Sequence, residues 1–177
     1  MRVVGLPLRT LTSHRNLIDS AIAQHHGRFV NSADESVLAE FPSVVEAVSC
    51  AVEIQAAIKA ENANYPLERR MEFRIGVNLG DVIVEGEQIY GDGVNVAARL
   101  ESLASPGGIC VSDTAHAQVK NKLALVYEDL GAQSVKNSAE PVHVWRVPLD
   151  GASAEPRGTQ RIPRRYRRAG ALSFPRP

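Results

Sequence analysis

The order in which helical and strand-like patterns alternate is the feature that most constrains the fold of this sequence. A helical repeat over residues 10–27 is followed by two short apolar runs within residues 28–41, separated by a polar break. A second helical repeat covers residues 42–62, and further strand-forming runs follow it. Helices that alternate with strand pairs are typical of α/β or α+β domains. The sequence therefore predicts helices packed on a mixed or antiparallel sheet.

The first two predicted helices each have one apolar face. Gly27 is a standard helix stop, so it is predicted to end the first helix. Ser43 and Glu46 have capping-box spacing and predict the start of the second. The apolar face of the first helix consists of Leu17, Ile18, Ala21, Ile22 and His25, and that of the second of Ala47, Ala51, Ile54 and Ile58.

The second half of the chain predicts further strands and two more helices. Apolar runs on both sides of "NLGD" within residues 71–86 predict a hairpin. It leads into an apolar helix in "YGDGVNVAARLESL". Two strands around a short helix are then predicted within residues 107–130, and a closing pair within residues 135–147.

Length and composition predict one domain and a tail. The chain has 177 residues, 44% of them apolar, which suffices for one core over residues 1–148. No apolar run approaches the roughly 18 to 20 residues of a membrane span, and no export signal is evident, so we expect a cytoplasmic protein. Cys50 and Cys110 lack ligand spacing and are interpreted as buried thiols in a reducing compartment.

Residues 149–177 are predicted to be a disordered basic tail. Residues 151–177 contain seven arginines and one acid, whereas residues 1–150 contain 13 basic and 19 acidic residues. The tail mixes arginine, proline and glycine without apolar periodicity, so it cannot bury enough surface to offset its ordering entropy. We interpret it as a solvated extension that folds back loosely on the acidic body. Contact with nucleic acid or anionic lipid is the less favoured alternative.

Asn95 and Arg99 interrupt the apolar helix of the "YGDGVNVAARLESL" segment. Their spacing of four residues places both side chains on one helical face. One interpretation is that both point to solvent or bond to the sheet edge, because burying them unpaired costs several kcal/mol. The other is that they line a cleft and hold a sugar oxygen and a phosphoryl group. Gly91 and Gly93 favour the second, since glycines let a backbone approach a ligand at a helix start.

The run "FRIGVNLGDVIVEGEQIYGDGVNVAARLESLASPGGICVSDTAHAQVKNKL", continued by "YEDLGAQSVKNSAEPVHVWRV", closely resembles the catalytic domain of class III adenylate and guanylate cyclases, in the style of the bacterial adenylate cyclases. The resemblance covers residues from about 10 to 147. It implies an α+β fold, a ferredoxin-like βαββαβ core with additional C-terminal strands. It also implies a site at the interface of two head-to-tail domains, where ATP is cyclised to 3′,5′-cyclic AMP and pyrophosphate.

The resemblance implies roles for three residues and a need for metal ions. Asn95 matches the residue that positions the ribose, and Arg99 the one that stabilises the charged phosphorane. Lys136 matches the lysine that binds the outgoing phosphates, although alone it reads as a lysine near a turn. The family also uses Mg²⁺ or Mn²⁺ held by two acidic residues.

The chain departs from the family pattern at its metal and base positions. The segment before the first helix is too short for the usual first strand, so we expect the first core strand to be short or missing; whether Met1 is the native start stays open. If "VVG" is its remnant, Arg2 takes the first acidic position. Glu35 takes the second, with Asp34 before it, and the two also suit solvated turn acids. Asn31 and Gln88 occupy the base-reading positions, and their amides do not distinguish ATP from GTP.

These departures leave three readings of the function. The chain is a working cyclase whose Glu35 and Asp34 recruit the metal, a non-enzymatic partner that docks on an intact cyclase domain, or a degenerate interaction domain. Loss of a central strand would expose unpaired backbone and apolar surface, which favours the last. We expect a homodimer or a heterodimer with another cyclase domain, and weak or no activity of the chain alone.

Overall fold

The structure is a computed structural model that describes residues 8–30, 36–80, 83–85, 88–133, 141–149 and 170–175. Within these ranges the chain forms an α+β fold, as predicted. In chain order its elements are α1 (Leu8–Gln24), β1 (Arg28–Val30), β2 (Ser36–Phe41), α2 (Val44–Asn62), a 3-10 turn (Leu67–Arg69), β3 (Ile75–Leu79), β4 (Ile83–Glu85), β5 (Gln88–Tyr90), α3 (Asp92–Leu103), β6 (Ile109–Ser112), α4 (Asp113–Val119), β7 (Glu128–Gln133), β8 (Val142–Val147) and β9 (Gly170–Pro175).

Seven of these strands form one sheet in the order β1-β2-β9-β3-β6-β8-β7. β3 and β6 are parallel, and the other neighbouring pairs are antiparallel. β4 and β5 form a separate two-stranded ribbon. The ribbon lies in the chain between β3 and α3.

The last strand of the described chain occupies the middle of this sheet. β9 pairs antiparallel with β2 on one side and with β3 on the other. The prediction of a disordered tail from residue 149 is therefore wrong for residues 170–175. The compositional signal failed there because a six-residue strand between two existing strands needs little apolar surface of its own.

The sheet has one face covered by α1, α2 and α4 and an opposite face covered by α3. The main core includes Ile18, Ala51 and Ile54 from the helices, together with alternate residues of the central strands such as Val77 and Val111. On the other face, Ala97 and Leu100 of α3 pack in two smaller clusters. Cys50 and Cys110 are both fully buried, as predicted.

The first helix ends differently from the prediction. α1 stops at Gln24, and His26 takes the left-handed conformation with φ of 57°. Gly27 is needed for space, because a Cβ there would come within 2.6 Å of the Phe41 ring. The left-handed residue is thus a histidine, and the glycine beside it makes room for packing. Of the predicted apolar face, Ile18, Ala21 and Ile22 are buried, Leu17 packs against the core, and His25 lies just beyond the helix.

The second helix agrees with its sequence signals. The Ser43 hydroxyl accepts a hydrogen bond from the Glu46 backbone N–H at 3.2 Å, which is the predicted N-cap. All four residues of the predicted apolar stripe are buried: Ala47, Ala51, Ile54 and Ile58.

The predicted hairpin around "NLGD" is wrong. Its first run is β3, which pairs with β6 and β9 in the main sheet, whereas its second run is β4, which pairs with β5. The local pattern predicted both strands but not their partners, since pairing in a sheet is decided by non-local contacts. The first part of the predicted closing pair, residues 135–140, lies outside the described residues. Its second part is β8, which pairs with β7 and β6.

Candidate functional site

The candidate site is built on α3, which begins after a glycine in an unusual conformation. Gly91 is the N-cap and has a φ of 123° and a ψ of 173°, a conformation that side chains rarely adopt. It allows β5 to turn directly into the helix. Asp92 lies in the first turn of α3 and is exposed. Its carboxylate favours the positive end of the helix dipole, so this helix start is a poor place for a phosphate.

Asn95 and Arg99 lie on the side of α3 that faces away from the sheet. Asn95 is exposed and Arg99 is half-buried, while the intervening Ala97 is fully buried against the sheet. Within the described residues neither polar side chain has a hydrogen bond or ion pair. Of the first interpretation, the structure agrees with the part in which both side chains point to solvent and not with the part in which they bond to the sheet edge. Two side chains one helical turn apart present an amide and a guanidinium on an open surface.

The distance between α3 and the sheet is set by direct contact between the backbones of α3 and β3. A Cβ added to Gly76 would overlap the Ala97 carbonyl oxygen and the Glu101 backbone nitrogen. The helix therefore crosses β3 with no side chain between the two backbones. Because buried backbone atoms do not yield as a flexible side chain does, Gly76 fixes the position of the middle of α3.

A buried side chain fixes the first turn of the same helix. Asn78 is 6% exposed and its Nδ2 donates a hydrogen bond of 3.0 Å to the Gly93 carbonyl oxygen. Gly80, just beyond β3, lies against this pair, and a Cβ there would be 3.0 Å from the Asn78 Nδ2. Gly76 and Asn78 were not among the predicted site residues. Their signal in the sequence was the presence of a glycine and an amide within the apolar run "IGVNL".

Of the other predicted site residues, only Gln88 lies within the described residues. Gln88 begins β5, and its backbone is in register with Glu85 of β4. This places Gln88 four residues before the start of α3. Asn31, Asp34, Glu35 and Lys136 lie outside the described residues, and so does Arg2. Their roles stay predictions.

The described residues do not fit a bound metal pair. Within them, no three His, Cys, Asp or Glu side chains are grouped so that they would hold a metal ion. β9 occupies the central strand position, and its sequence GALSFP contains no carboxylate. The described part of α3 offers donors to anions and sugar oxygens, which are groups that bind a nucleotide and not a dication.

Among the described residues, the candidate site is an exposed helix surface. A cavity of about 720 Å³ lies elsewhere, between the C-terminal half of α2, residues 105–108 and the end of β8. Neither Asn95 nor Arg99 lines it. An open surface of this kind encloses a ligand only when a second surface faces it.

Comparisons with known proteins assign this α+β fold, in which one helix with exposed polar side chains packs on a mainly antiparallel sheet, to the nucleotide cyclase class of domain. Residues 8–147 match the model of the adenylate and guanylate cyclase catalytic domain. The chain is 42% identical over 143 residues to the Rhizobium meliloti (strain 1021) protein named "Putative adenylate cyclase 3", covering 80% of this chain and 24% of that protein. The chain belongs to the class III adenylate and guanylate cyclase family.

Solved structures show the same fold. The adenylate/guanylate cyclase/hydrolase from Silicibacter pomeroyi is 42% identical with a TM-score of 0.75, covering 81% of this chain and 85% of that one. The adenylyl cyclase CyaB from P. aeruginosa, 22% identical, has a TM-score of 0.67 over 85% of this chain and 84% of that one. These matches confirm the predicted family and fold.

The chain spans about a quarter of the length of the Rhizobium meliloti relative. Membership of the family therefore does not assign the activity, substrate or partners of that longer protein to this chain. Among the described residues, no helix is both long and apolar enough to cross a membrane.

Proposed function

We propose that this chain is a cyclase domain that binds a purine nucleoside triphosphate, ATP in the first instance, across an interface with a second cyclase domain. In this proposal it contributes the half of the site that binds ribose and phosphate. The observation that supports it most is that Asn95 and Arg99, which have no hydrogen bond or ion pair among the described residues, lie on a helix positioned by Gly76 and Asn78. An exposed amide and guanidinium in fixed positions are suited to a ligand that is both sugar and polyanion.

Cyclisation makes specific demands on these two groups. The ribose 3′-oxygen forms a bond to the α-phosphorus, the bond from that phosphorus to the bridging oxygen breaks, pyrophosphate leaves, and the hydroxyl proton passes to solvent. Negative charge builds on the oxygens of the α-phosphorus, and Arg99 would stabilise it with fixed donors. Asn95 would hold the ribose in line. Removing one such donor typically slows a reaction by about 10²–10³-fold.

Lys136, Asn31 and Gln88 complete this half of the site in the proposal. Lys136 would bind the outgoing phosphates as a point charge. Asn31 and Gln88 would contact the purine, and amides of this type accept or donate a hydrogen bond with either base. The preference for ATP over GTP therefore depends on the orientation of these two amides.

The chain alone is expected to have weak or no activity. Mg²⁺ or Mn²⁺ in this family assists the attacking oxygen and shields the triphosphate when bound, and the described residues here do not fit it. In either a homodimer or a heterodimer, α3 of each domain would face the opposing domain. In this proposal a partner domain with its own metal carboxylates completes the site, which favours a heterodimer.

Complementation of a defective cyclase tests the proposal. The partner is a class III cyclase domain in which its own α3-type arginine is replaced by alanine, so that its homodimer is inactive. Mixing it with this chain should restore cyclic AMP formation from ATP. The Arg99→Ala form of this chain should restore at least about 10²-fold less. Arg69→Ala is the matched control, because Arg69 is exposed and lies on the turn Leu67–Arg69, away from α3.

Equal rescue by the Arg99→Ala and unchanged chains would contradict the proposal, and so would the absence of rescue when the two domains are shown to associate. Equilibrium binding of ATP to the mixed dimer gives a second readout. Arg99→Ala should weaken it, whereas Arg69→Ala should leave it unchanged.

A working homodimeric cyclase is the second candidate, and the presence of Asp34 and Glu35 between β1 and β2 in the chain favours it. It requires cyclic AMP formation by the purified chain with Mg²⁺ or Mn²⁺ that is lost on Glu35→Ala. We expect instead that the unmixed chain forms cyclic AMP no faster than its Arg99→Ala variant.

A further inference from the structure

In the main sheet β9 lies between β2 and β3, and the position that it fills is called the channel below. We infer that this channel is a binding site for a β-strand and that its occupant is the chain's own segment 170–175. We also infer that the bound strand keeps α3 in the position over the sheet that the candidate site requires. The strand at this position follows every other described element in the chain. Both neighbours of the channel were formed by residues far earlier in the sequence.

The backbone pairing on both sides supports the inference. All six residues of β9 are in register with β2, from Ser36 opposite Pro175 to Phe41 opposite Gly170. Four of them are also in register with β3, from Gly76 opposite Ser173 to Leu79 opposite Gly170. Without β9, two strands in the interior of the sheet would present unpaired N–H and C=O groups to each other across an empty channel.

The sequence of the segment has the period of a strand in this register. Leu172 is paired with Ala39 and Val77, and both of these residues belong to the main core. Phe174 is paired with Val37 of the same core. The alternating positions 171 and 173 carry alanine and serine, and position 173 pairs with Gly76. Large residues thus alternate with small ones along the segment, and the large ones share register positions with core residues of β2 and β3.

The connecting chain is long enough for the segment to enter the channel of its own molecule. Val147, near the end of β8, is in register with Ile109, which is in register with Ile75, whereas Gly170 is in register with Leu79. The two described ends, Val147 and Gly170, therefore lie at opposite ends of the strands, about 20 Å apart along a six-residue strand. Twenty residues, 150–169, lie between the described parts, and an extended chain of that length reaches about 66–72 Å.

Charge also favours docking of this segment on the rest of the protein. Residues 151–177 contain seven arginines against one acid, while residues 1–150 contain 19 acids against 13 basic residues. Attraction between a basic segment and an acidic body increases the rate of encounter, and it weakens with salt.

Binding of the strand affects the candidate site because α3 packs over β9 as well as over β3 and β6. Vacating the channel would remove part of the surface on which α3 rests. Under the proposed function, on which this step depends, loss of the strand would weaken nucleotide binding without any change at Asn95 or Arg99. The segment would thereby act as a positioning element for the site.

Hydrogen exchange on the full chain tests the strand without reference to nucleotide. The backbone amides of residues 171–174 should be protected, as should those of β2 and β3. Ser173→Pro removes one ladder hydrogen bond, since each interior residue of a central strand donates to one neighbour or the other. Protection in all three strands should fall and the thermal midpoint should drop. Ser153→Pro, which lies outside the strand, is the matched control and should change neither.

Addition of a free peptide tests the channel as a binding site. A peptide of residues 168–177 added to the full-length Ser173→Pro chain should restore protection in β2 and β3, whereas the same peptide carrying the proline should not. Unprotected amides at 171–174 in the unchanged chain would overturn the inference. Protection that disappears on dilution would also overturn it, because the strand would then come from a second copy.

The nucleotide readout separates this inference from the proposed function. Strand protection with no ATP binding by the mixed dimer would leave the strand inference standing and contradict the proposed function. ATP binding that is equal in the unchanged and Ser173→Pro chains, with loss of protection in the latter, would overturn the positioning role.

Discussion

Asn78 and Gly93 are joined by a buried hydrogen bond in which the Asn78 Nδ2 donates to the Gly93 carbonyl oxygen at 3.0 Å. The bond connects the C-terminal half of β3 with the first turn of α3. A carbonyl in the first turn of a helix is normally used within the helix, and here it also accepts from the strand below. The bond therefore links the position of the candidate site to the sheet without passing through any loop.

Asn78→Ala should destabilise the fold and weaken nucleotide binding together. The Gly93 carbonyl keeps its place in the helix, so the loss is that of one typical intramolecular hydrogen bond, about 0.5–1.5 kcal/mol. The free energy of unfolding from urea titration measures the first effect. Asn64→Ala, at an exposed asparagine in the turn after α2, is the control and should change it by less than about 0.5 kcal/mol. Equal effects of the two substitutions would show that the bond to Gly93 contributes nothing.

Gly76→Ala should displace α3, because a methyl group there overlaps the backbone of Ala97 and Glu101. Overpacking of this kind costs about 1–3 kcal/mol. Gly107→Ala is a contrasting control: its φ of 73° strains the new residue, but a Cβ there has no heavy atom within 4 Å. Both variants should lose stability in urea titration. Only Gly76→Ala should also lose ATP affinity, and unchanged affinity would contradict the role assigned to Gly76.

His25 should make the stability depend on pH above its ordinary pKa of 6.5. Its Nδ1 lies 2.9 Å from a Glu46 carboxylate oxygen and its Nε2 lies 2.8 Å from one of Glu53, so it joins the end of α1 to α2. Burial lowers the pKa of His25, but the hydrogen bonds and charges of Glu53 and Glu46 outweigh it and raise the pKa above its ordinary value of 6.5. The stabilisation is then fully present below pH 6.5 and is lost as the pH rises through the folded pKa.

Urea titrations from pH 6 to pH 9 measure this contribution. The difference in unfolding free energy between the unchanged chain and His25→Gln should be largest at the acid end and should shrink toward pH 9. His26→Asn is the control, since His26 is exposed and asparagine tolerates its positive φ. A difference that is constant with pH would show that His25 is not charged in the fold.

Cys50 and Cys110 should react with thiol reagents only after unfolding. Burial, together with the charges of Glu53 and Glu46, raises the pKa of Cys50 to about 12. Burial raises the pKa of Cys110 to about 11, although Arg146 opposes the shift. Because the thiolate is the reactive form, a disulfide reagent at pH 8 should label neither thiol in the native protein and both in urea. Labelling of either thiol at the rate of a free cysteine would contradict the burial.

Local chemistry predicted the helices better than it predicted their partners. The capping box at Ser43 and the apolar stripe of α2 are properties of one segment, so the sequence alone was enough to predict them. The pairing of β4 with β5 depends on which strands fill the main sheet, and no local pattern contains that information. The end of α1 was misassigned by three residues because Gly27 is required by the Phe41 ring, a contact between distant residues.

The polar pair of the candidate site was visible in the sequence, but its support was not. Asn95 and Arg99 stood out because they interrupt an apolar helix, and the family resemblance gave them roles. Gly76 and Asn78 act through backbone atoms of α3, and such contacts become evident only when the two elements are seen together. The resemblance also predicted a short or missing first core strand, but the strand that pairs with β2 and β3 in the structure came from a segment predicted to be disordered.

The central position of β9 has a consequence for co-translational folding. β2 and β3 emerge from the exit tunnel long before their common neighbour is translated, and at about 5–20 residues per second the delay lasts several seconds. During that interval β2 and β3 have unpaired edges, with which other chains can pair. Contacts that close over more than a hundred residues also fold slowly, so we expect nascent chains of this domain to depend on chaperones until residue 175 is free.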